Sequence, residues 1–403
     1  MKIAATGFVS EQAGSVASAN ALLLRGLLGR GCEIHFFSKA SFVDPRPAVG
    51  GHPGFQFTNV DNRFTDALRA RTERVPVAGL LTRMLDVFRY NGMVVRAIAE
   101  EHRRTPFDAC LWLGDYARHR IRGLPTASFV QGAPGTDARS VARRFSEVVR
   151  MAGLITAWKW RLLAWLRLSR VGLPRFDCSD LFIVGSSQSR RTLSGEFGIR
   201  EDRTASVPYP IDLEMFHPGP GPESRPTKRC LWLGRIVPRK RLDLFLDGIA
   251  SAIRSGADLR ATVVGRVGFV PGYEKLIGAF PFPGRLTWIP SVPRGEVRGL
   301  LCEHDVLIQP SEEEDFGSSI AEAQACGIPV IVGRTNGNAD YLCASDIRLQ
   351  TDDPDELAAA VLAITARVRR APEVSRMFAE ATFDKETISA RIMGLLADVG
   401  SPG

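Results

Sequence analysis

Two carboxylates, Glu314 and Glu322, stand eight residues apart in PSEEEDFGSSIAEAQACG and bracket the turn Gly317-Ser318-Ser319. Each carboxylate can accept two hydrogen bonds, the capacity that a vicinal diol requires. Glu322 is thus suited to a ribose diol and Glu314 to the hydroxyls of a second sugar. Between them, Gly317 permits close backbone approach, and the start of a predicted helix near Ser318 turns exposed N–H groups toward a phosphate. The alternative for Glu312–Asp315 is a solvated acidic loop that favours the helix start.

The positive half of such a site is found in LWLGRIVPRKRLDLF at 231–245. Arg235 follows a strand and Gly234, while Lys240 opens the next helix, so both can converge on a diphosphate. Arg239 and Arg241 flank Lys240, and the three side chains cannot all face one way. A basic surface turn is the alternative reading of this segment alone.

These residues need strands and helices to hold them. Lys2–Gly7, a polar turn at 10–18, an apolar helix through Leu22 and Leu28, and Glu33–Phe37 form a strand–loop–helix–strand unit. Strands are also predicted at Ala109–Leu113, Ala127–Val130 and Leu181–Val184, with Val207–Tyr209 entering a turn. After the proline- and glycine-rich stretch HPGPGPESRPTKR at 217–229, a second series begins with Cys230–Leu233 and continues through Leu259–Val264, Leu286–Ile289, Val306–Gln309 and Pro329–Val332. Strands alternating with helices predict an α/β chain of two Rossmann-like domains, with parallel sheets facing a central cleft. The expected units are 1–215, 216–375 and a helical segment, 376–403, that packs on the second domain or crosses back to the first. Ligands of such sheets bind beyond the carboxyl ends of the strands, where the loops at 10–18, 234–240 and 310–318 fall.

Together the acidic and basic segments resemble glycosyltransferase family 4, the retaining transferases of the GT-B fold. The resemblance is carried by Gly234-Arg235 with Lys240, by the Glu314-x7-Glu322 element, by HDVLIQPS at 304–311 and by VPYPIDLEMFHP at 207–218. It implies that Arg235 and Lys240 neutralise the donor diphosphate and that Glu314 contacts the donor hexose. It further implies a ribose contact for Glu322, and places Gly234, Phe316, Gly317, Ser318 and Ser319 around the donor. The resemblance likewise implies an acceptor side for 1–215 and a nucleotide-sugar donor side for 216–375. The implied catalytic set is Arg235, Lys240 and Glu314, acting without a metal or cofactor.

The first domain departs from the family pattern. Where relatives often carry Gly-Gly, this chain has Ala13-Gly14-Ser15, leaving Gly14 and Ser15 as the phosphate-adjacent turn or as a generic glycine turn. Where many relatives place a histidine, SFVQGAPGTDARS offers Gln131, with His119 as a substitute. Asp115 and Asp137 are acceptor-side candidates or simple turn and cap residues.

Composition narrows the partners. The 403 residues carry a formal charge of +8 and a pI near 9.3, which favour a nucleotide diphosphate, an acidic lipid surface or nucleic acid. Nucleic acid is disfavoured because no finger spacing or basic tail is present. The seven cysteines, Cys32, Cys110, Cys178, Cys230, Cys302, Cys326 and Cys343, make no CxxC pair or His/Cys cluster and read as reduced structural thiols. No signal peptide or spanning helix is expected, so the predicted location is cytoplasmic, with peripheral contact on the inner membrane face. LITAWKWRLLAWLRLSRVGL at 154–173 mixes Trp158, Trp160 and Trp165 with Lys159, Arg161, Arg167 and Arg170, which reads as an interfacial helix or a buried, lid-forming one. Plotted at helical intervals, the segment does not give one clean apolar face.

The expected reaction moves a hexose-type sugar from a nucleotide diphosphate to an acceptor hydroxyl on a saccharide, a lipid-linked molecule or an apolar small molecule. The alternatives are a nucleotide-sugar epimerase or hydrolase, and a non-catalytic nucleotide-sugar-binding protein. A nicotinamide dehydrogenase is disfavoured because GFVSEQAGS lacks the close GxGxxG spacing.

Overall fold

The computed structural model describes residues 1–11, 14–39, 44–61, 76–133, 135–168, 178–219, 226–366 and 372–400, with the backbone alone for 76–88 and 163–168. Ala13, part of the expected linker at 217–229, the side chains of Trp165 and Arg167, and all of Arg170 lie outside the described residues.

Short apolar runs build two wholly parallel sheets. The first contains β1 (Lys2–Gly7), β2 (Glu33–Ser38), β3 (Phe55–Asn59), β4 (Ala109–Leu113), β5 (Thr126–Phe129), β6 (Leu181–Val184) and β7 (Thr204–Ser206), in the order β3-β2-β1-β4-β5-β6-β7. The second contains β8 (Lys228–Leu233), β9 (Leu259–Val264), β10 (Leu286–Ile289), β11 (Val306–Gln309), β12 (Val330–Val332) and β13 (Ile347–Arg348), in the order β10-β9-β8-β11-β12-β13. Every residue of β4, ACLWL, is buried, as expected of a central strand covered on both faces. The order reverses between β1 and β4 and again between β8 and β11. At each reversal neighbouring connections leave in opposite directions and open a crevice at the carboxyl ends of the strands.

The principal helices of the first half are α1 (Ser15–Gly29), α2 (Pro76–Arg104), α3 (Thr136–Arg143), α4 (Phe145–Ala152), α5 (Leu154–Leu168) and α6 (Ser187–Phe197). Those of the second are α7 (Leu242–Arg254), α8 (Arg294–Cys302), α9 (Ser318–Ala325), α10 (Pro354–Thr365), α11 (Pro372–Phe383) and α12 (Lys385–Gly400).

Two features depart from a simple division by sequence. First, α3 to α5 leave the first sheet and lie on the body of the second. Val141, Val148 and Ala157 are buried in one cluster with Trp232, Phe245 and Tyr273. The Tyr273 hydroxyl donates to Glu147 at 2.6 Å, and the Trp160 and Phe269 rings stand 4.4 Å apart. Part of the expected 1–215 unit is therefore held by the other domain. Second, α12 runs back against α1. A β-carbon on Gly26 would fall 2.1 Å from Ser389 Oγ and 2.9 Å from the Lys385 carbonyl, so glycine lets the two helices touch.

Candidate active site

Strand β11 is fully buried and delivers the acidic loop to the mouth of the cleft. At its end, Gly317 caps α9 in the left-handed conformation, φ 68°. A β-carbon there would crowd Glu314 Cγ at 3.2 Å and Asn338 Nδ2 at 3.3 Å, so the tight turn also requires glycine.

The loop is not the solvated acidic segment offered as an alternative, because each carboxylate has its own buried or half-buried partner. Glu312 accepts hydrogen bonds from Arg144 at 2.6 Å and Arg241 at 2.9 Å. Glu313 accepts one from Arg139 at 3.2 Å and pairs with Arg143. Glu314 accepts one from Arg239 at 2.8 Å and pairs with Lys240. Asp315 turns the other way, to the Gly185 N–H at 3.1 Å and the Tyr209 hydroxyl.

The basic turn after β8 supplies the cations. A short 3-10 turn, Pro238–Lys240, ends at Arg241, whose φ of 51° lets Arg241 swing toward Glu312, Asp243 and Asp352 while Arg239 and Lys240 converge on Glu314. Two of the three basic side chains thus share Glu314 and the third faces away, so they do not all face one way. Among the described residues, Arg241 and Glu313, φ 48°, are the non-glycine positions with positive φ. One adjoins Lys240 and the other Glu314. Such backbone costs about 1–3 kcal/mol and persists where surrounding contacts enforce it, frequently at functional sites.

Electrostatics follow from this packing. Burial pushes the Glu314 carboxyl up, but Arg239 and Lys240 outweigh it and hold its pKa at about 2. Burial lowers the Lys240 pKa, with Glu314 opposing. For Arg239, burial works against the charge, yet Glu314 and Asp137 raise its pKa overall. Burial lifts the Asp315 pKa to about 6, against hydrogen bonds from Tyr209 and the Gly185 N–H that lower it. Arg235 is 61% exposed and 3.9 Å from Asp137, which leaves it the least committed cation.

A cavity of about 270 Å³ lies in the cleft, lined by Gln131 after β5, by Asp137 on α3 and by Arg235, Arg239, Glu313 and Glu314 of the second body, among others. Gln131 follows β5 and donates to Asn20 Oδ1 at 2.8 Å, while its own Oε1 is buried and accepts no hydrogen bond in the structure. Asp137, in the first turn of α3, accepts from Arg239 Nε at 2.7 Å. It therefore bridges α3 to the basic turn after β8.

The remaining candidates are more dispersed. Gly234 approaches the Lys240 stem, with its β-carbon position 3.7 Å from Cε. Ser318 is buried, and Ser319 Oγ accepts from Gln309 at 2.8 Å. Glu322 is buried on α9, accepts from Arg294 at 3.2 Å, and has its pKa raised by burial. The Phe316 side chain packs in the core against Tyr209 and Phe383 and supports the loop from below. Gly14 and Ser15 are exposed at the start of α1, and Gly14, φ 96°, has open space where a β-carbon would stand. Asp115 is half-buried after Gly114, with burial raising its pKa, and His119 is exposed beside Gly92. Neither Asp115 nor His119 lines the 270 Å³ cavity.

Sequence reasoning missed Arg294, Glu313 and the Gly185–Tyr209 clasp on Asp315. Arg294 sits 28 positions before Glu322, on a separate helix, and nothing local signals the pairing. Arg239 was visible beside Lys240, but its direction depends on the αL residue that follows.

No group of three His, Cys, Asp or Glu side chains among the described residues is arranged to hold a metal. Nor is any described helix long and apolar enough to cross a membrane.

Two parallel α/β sheets facing one cleft give the chain the GT-B architecture. Residues 221–381 match the family Glycosyl transferases group 1. The chain is 30% identical over 211 residues to the D-inositol 3-phosphate glycosyltransferase of Geodermatophilus obscurus, covering 47% of this chain and 46% of that protein. It is also 30% identical over 184 residues to a GDP-mannose-dependent alpha-(1-6)-phosphatidylinositol dimannoside mannosyltransferase of Mycobacterium tuberculosis, covering 41% and 45% respectively. The chain thus spans just under half the length of these relatives. Anabaena Alr3699/HepE in complex with UDP superposes with a TM-score of 0.63 at 15% identity, covering 99% of this chain and all of that one, a likeness of fold.

Proposed function

We propose that the protein is a retaining glycosyltransferase that moves a hexose-type sugar from a nucleoside diphosphate to an acceptor hydroxyl. The observation that carries this reading is Glu314 held between Arg239 and Lys240 at the N-terminus of α9, facing the cavity between the domains. Likeness to a GDP-mannose-dependent relative and to a UDP-bound structure supports a nucleoside diphosphate donor.

In this reading Arg235 and Lys240 take the diphosphate, joined by the backbone N–H groups of Gly317, Ser318 and Ser319. Glu322 accepts from the ribose diol, and Glu314 from the sugar. As the anomeric C–O bond breaks, charge grows on the departing diphosphate, where these fixed donors stabilise it most. The acceptor hydroxyl attacks the face the diphosphate leaves and passes its proton to a diphosphate oxygen, so Glu314 forms no covalent bond. The unmet Oε1 of Gln131 offers an acceptor to a sugar hydroxyl. Closure of the domains excludes water that would hydrolyse the donor.

The test is calorimetric binding of UDP- and GDP-sugars to the purified protein, with Glu322→Ala and Arg235→Ala as controls. The reading expects one donor class to bind and both variants to lose it. Folded protein that binds none of these sugars, with or without acceptors, overturns it.

A further inference from the structure

Helix α5 carries large apolar side chains on two opposite sides. Ala157 is buried and Trp160 packs on Phe269, fixing one side to the second domain. On the other, Leu154 is 56% exposed, Ile155 87%, Trp158 54% and Leu162 55%. This explains why the segment gives no single clean apolar face in sequence. One apolar face is used for packing and a second is left uncovered.

At about 100° per residue the four exposed side chains form one stripe roughly 100° wide. Exposed Lys159 borders one edge and exposed Arg161 the other. The Arg161 guanidinium lies 5.3 Å from both the Trp158 and Phe145 rings, which keeps the cation beside the apolar stripe. Between Glu147 and Asp177 the sequence contains no acidic residue, while Arg150, Lys159 and Arg161 precede three further arginines. An apolar stripe framed by cations, in a stretch without anions, is complementary to lipid tails beneath anionic headgroups.

We propose that the Leu154, Ile155, Trp158 and Leu162 face of α5, framed by Lys159 and Arg161, docks the protein on an anionic lipid surface. Docking leaves the packed side of the helix in place and brings the α3–α5 side of the cleft toward the membrane. This assignment does not depend on what the cleft binds.

Flotation of the full chain with vesicles tests it, using phosphatidylcholine alone and phosphatidylcholine containing roughly a quarter phosphatidylglycerol. The protein is expected to float with the anionic vesicles and to be released by high salt. Ile155→Gln/Trp158→Gln and Lys159→Glu/Arg161→Glu should each weaken partitioning about tenfold with unchanged circular dichroism. Absence of flotation overturns the proposal, as does flotation that the variants leave unchanged. Sedimentation adds a further check, because a dimer broken by the same variants, without vesicle binding, would assign the face to a second copy of the chain and likewise overturn lipid docking.

Discussion

Asp137, in the first turn of α3, accepts a 2.7 Å hydrogen bond from Arg239 of the second domain's basic turn, and Arg235 lies 3.9 Å from the same carboxylate. A carboxylate therefore occupies part of the field in which a diphosphate would bind. Removing its charge while keeping its shape should release Arg239 and Arg235 toward an anionic ligand. Asp137→Asn is expected to tighten nucleoside diphosphate binding about threefold to tenfold, an effect that shrinks in high salt. Titration calorimetry at two ionic strengths measures it, and weaker binding would mean that Asp137 orients the arginines instead of competing with the ligand.

The acidic loop should give stability an unusual pH dependence. Asp315 has a folded pKa of about 6 against an ordinary 3.8, so protonation favours the folded state and stability rises as pH falls from about 6 toward 3.8. Glu322, also raised by burial, acts in the same direction. Glu314 is opposite, with a folded pKa of about 2 against 4.5. Its contribution is present above 4.5 and is lost as pH falls toward 2, and amounts to about 3 kcal/mol. Urea unfolding at pH 7, 5 and 3 is therefore expected to show a gain followed by a loss. Glu314→Gln should flatten the acid loss; an unchanged acid limb would show that Glu314 is not the group responsible.

The strands were legible because each is an apolar run of the right length between turn residues, and the carboxylates because they flank a glycine-serine turn. Edge strand β3 was missed since its half-buried FQFTN alternates weakly, and β13 is two residues long. The other edge strand of the first sheet, β7, ends at Ser206, just before the expected Val207–Tyr209, which is in no strand. The buried state of Glu312–Asp315 was not legible. Their partners Arg139, Arg143 and Arg144 arrive from α3 and its junction with α4, more than 160 positions away, on helices that cross to the second domain. Nor could spacing show that Phe316 turns into the core while its neighbour Gly317 forms the cap.

Arg294 reaches Glu322 from α8 at 3.2 Å and lies over the Phe216 ring. It opposes the burial that raises the Glu322 pKa. Arg294→Met keeps the stem but removes the charge, so the Glu322 carboxyl should rise further and bind a ribose diol as the neutral acid at mildly acidic pH. Donor binding is expected to fall about tenfold between pH 8 and pH 6 in the variant, against a smaller change in the parent protein. Calorimetry across that range checks it, and parallel pH profiles would separate Arg294 from Glu322.

The contact between α1 and α12 gives the C-terminal helix its place on the first domain. At Gly26 a methyl group would meet Ser389 Oγ at 2.1 Å and the Lys385 carbonyl at 2.9 Å. The first obstacle is a side chain and the second is backbone. Gly26→Ala is thus expected to cost about 1–3 kcal/mol of stability despite the better helix propensity of alanine. Adding Ser389→Ala should recover part of the loss, but not all, because the carbonyl remains. Urea denaturation of the single and double variants measures both steps. Full recovery would place the whole clash on the serine, and no loss at all would mean that α12 can stand away from α1 without cost.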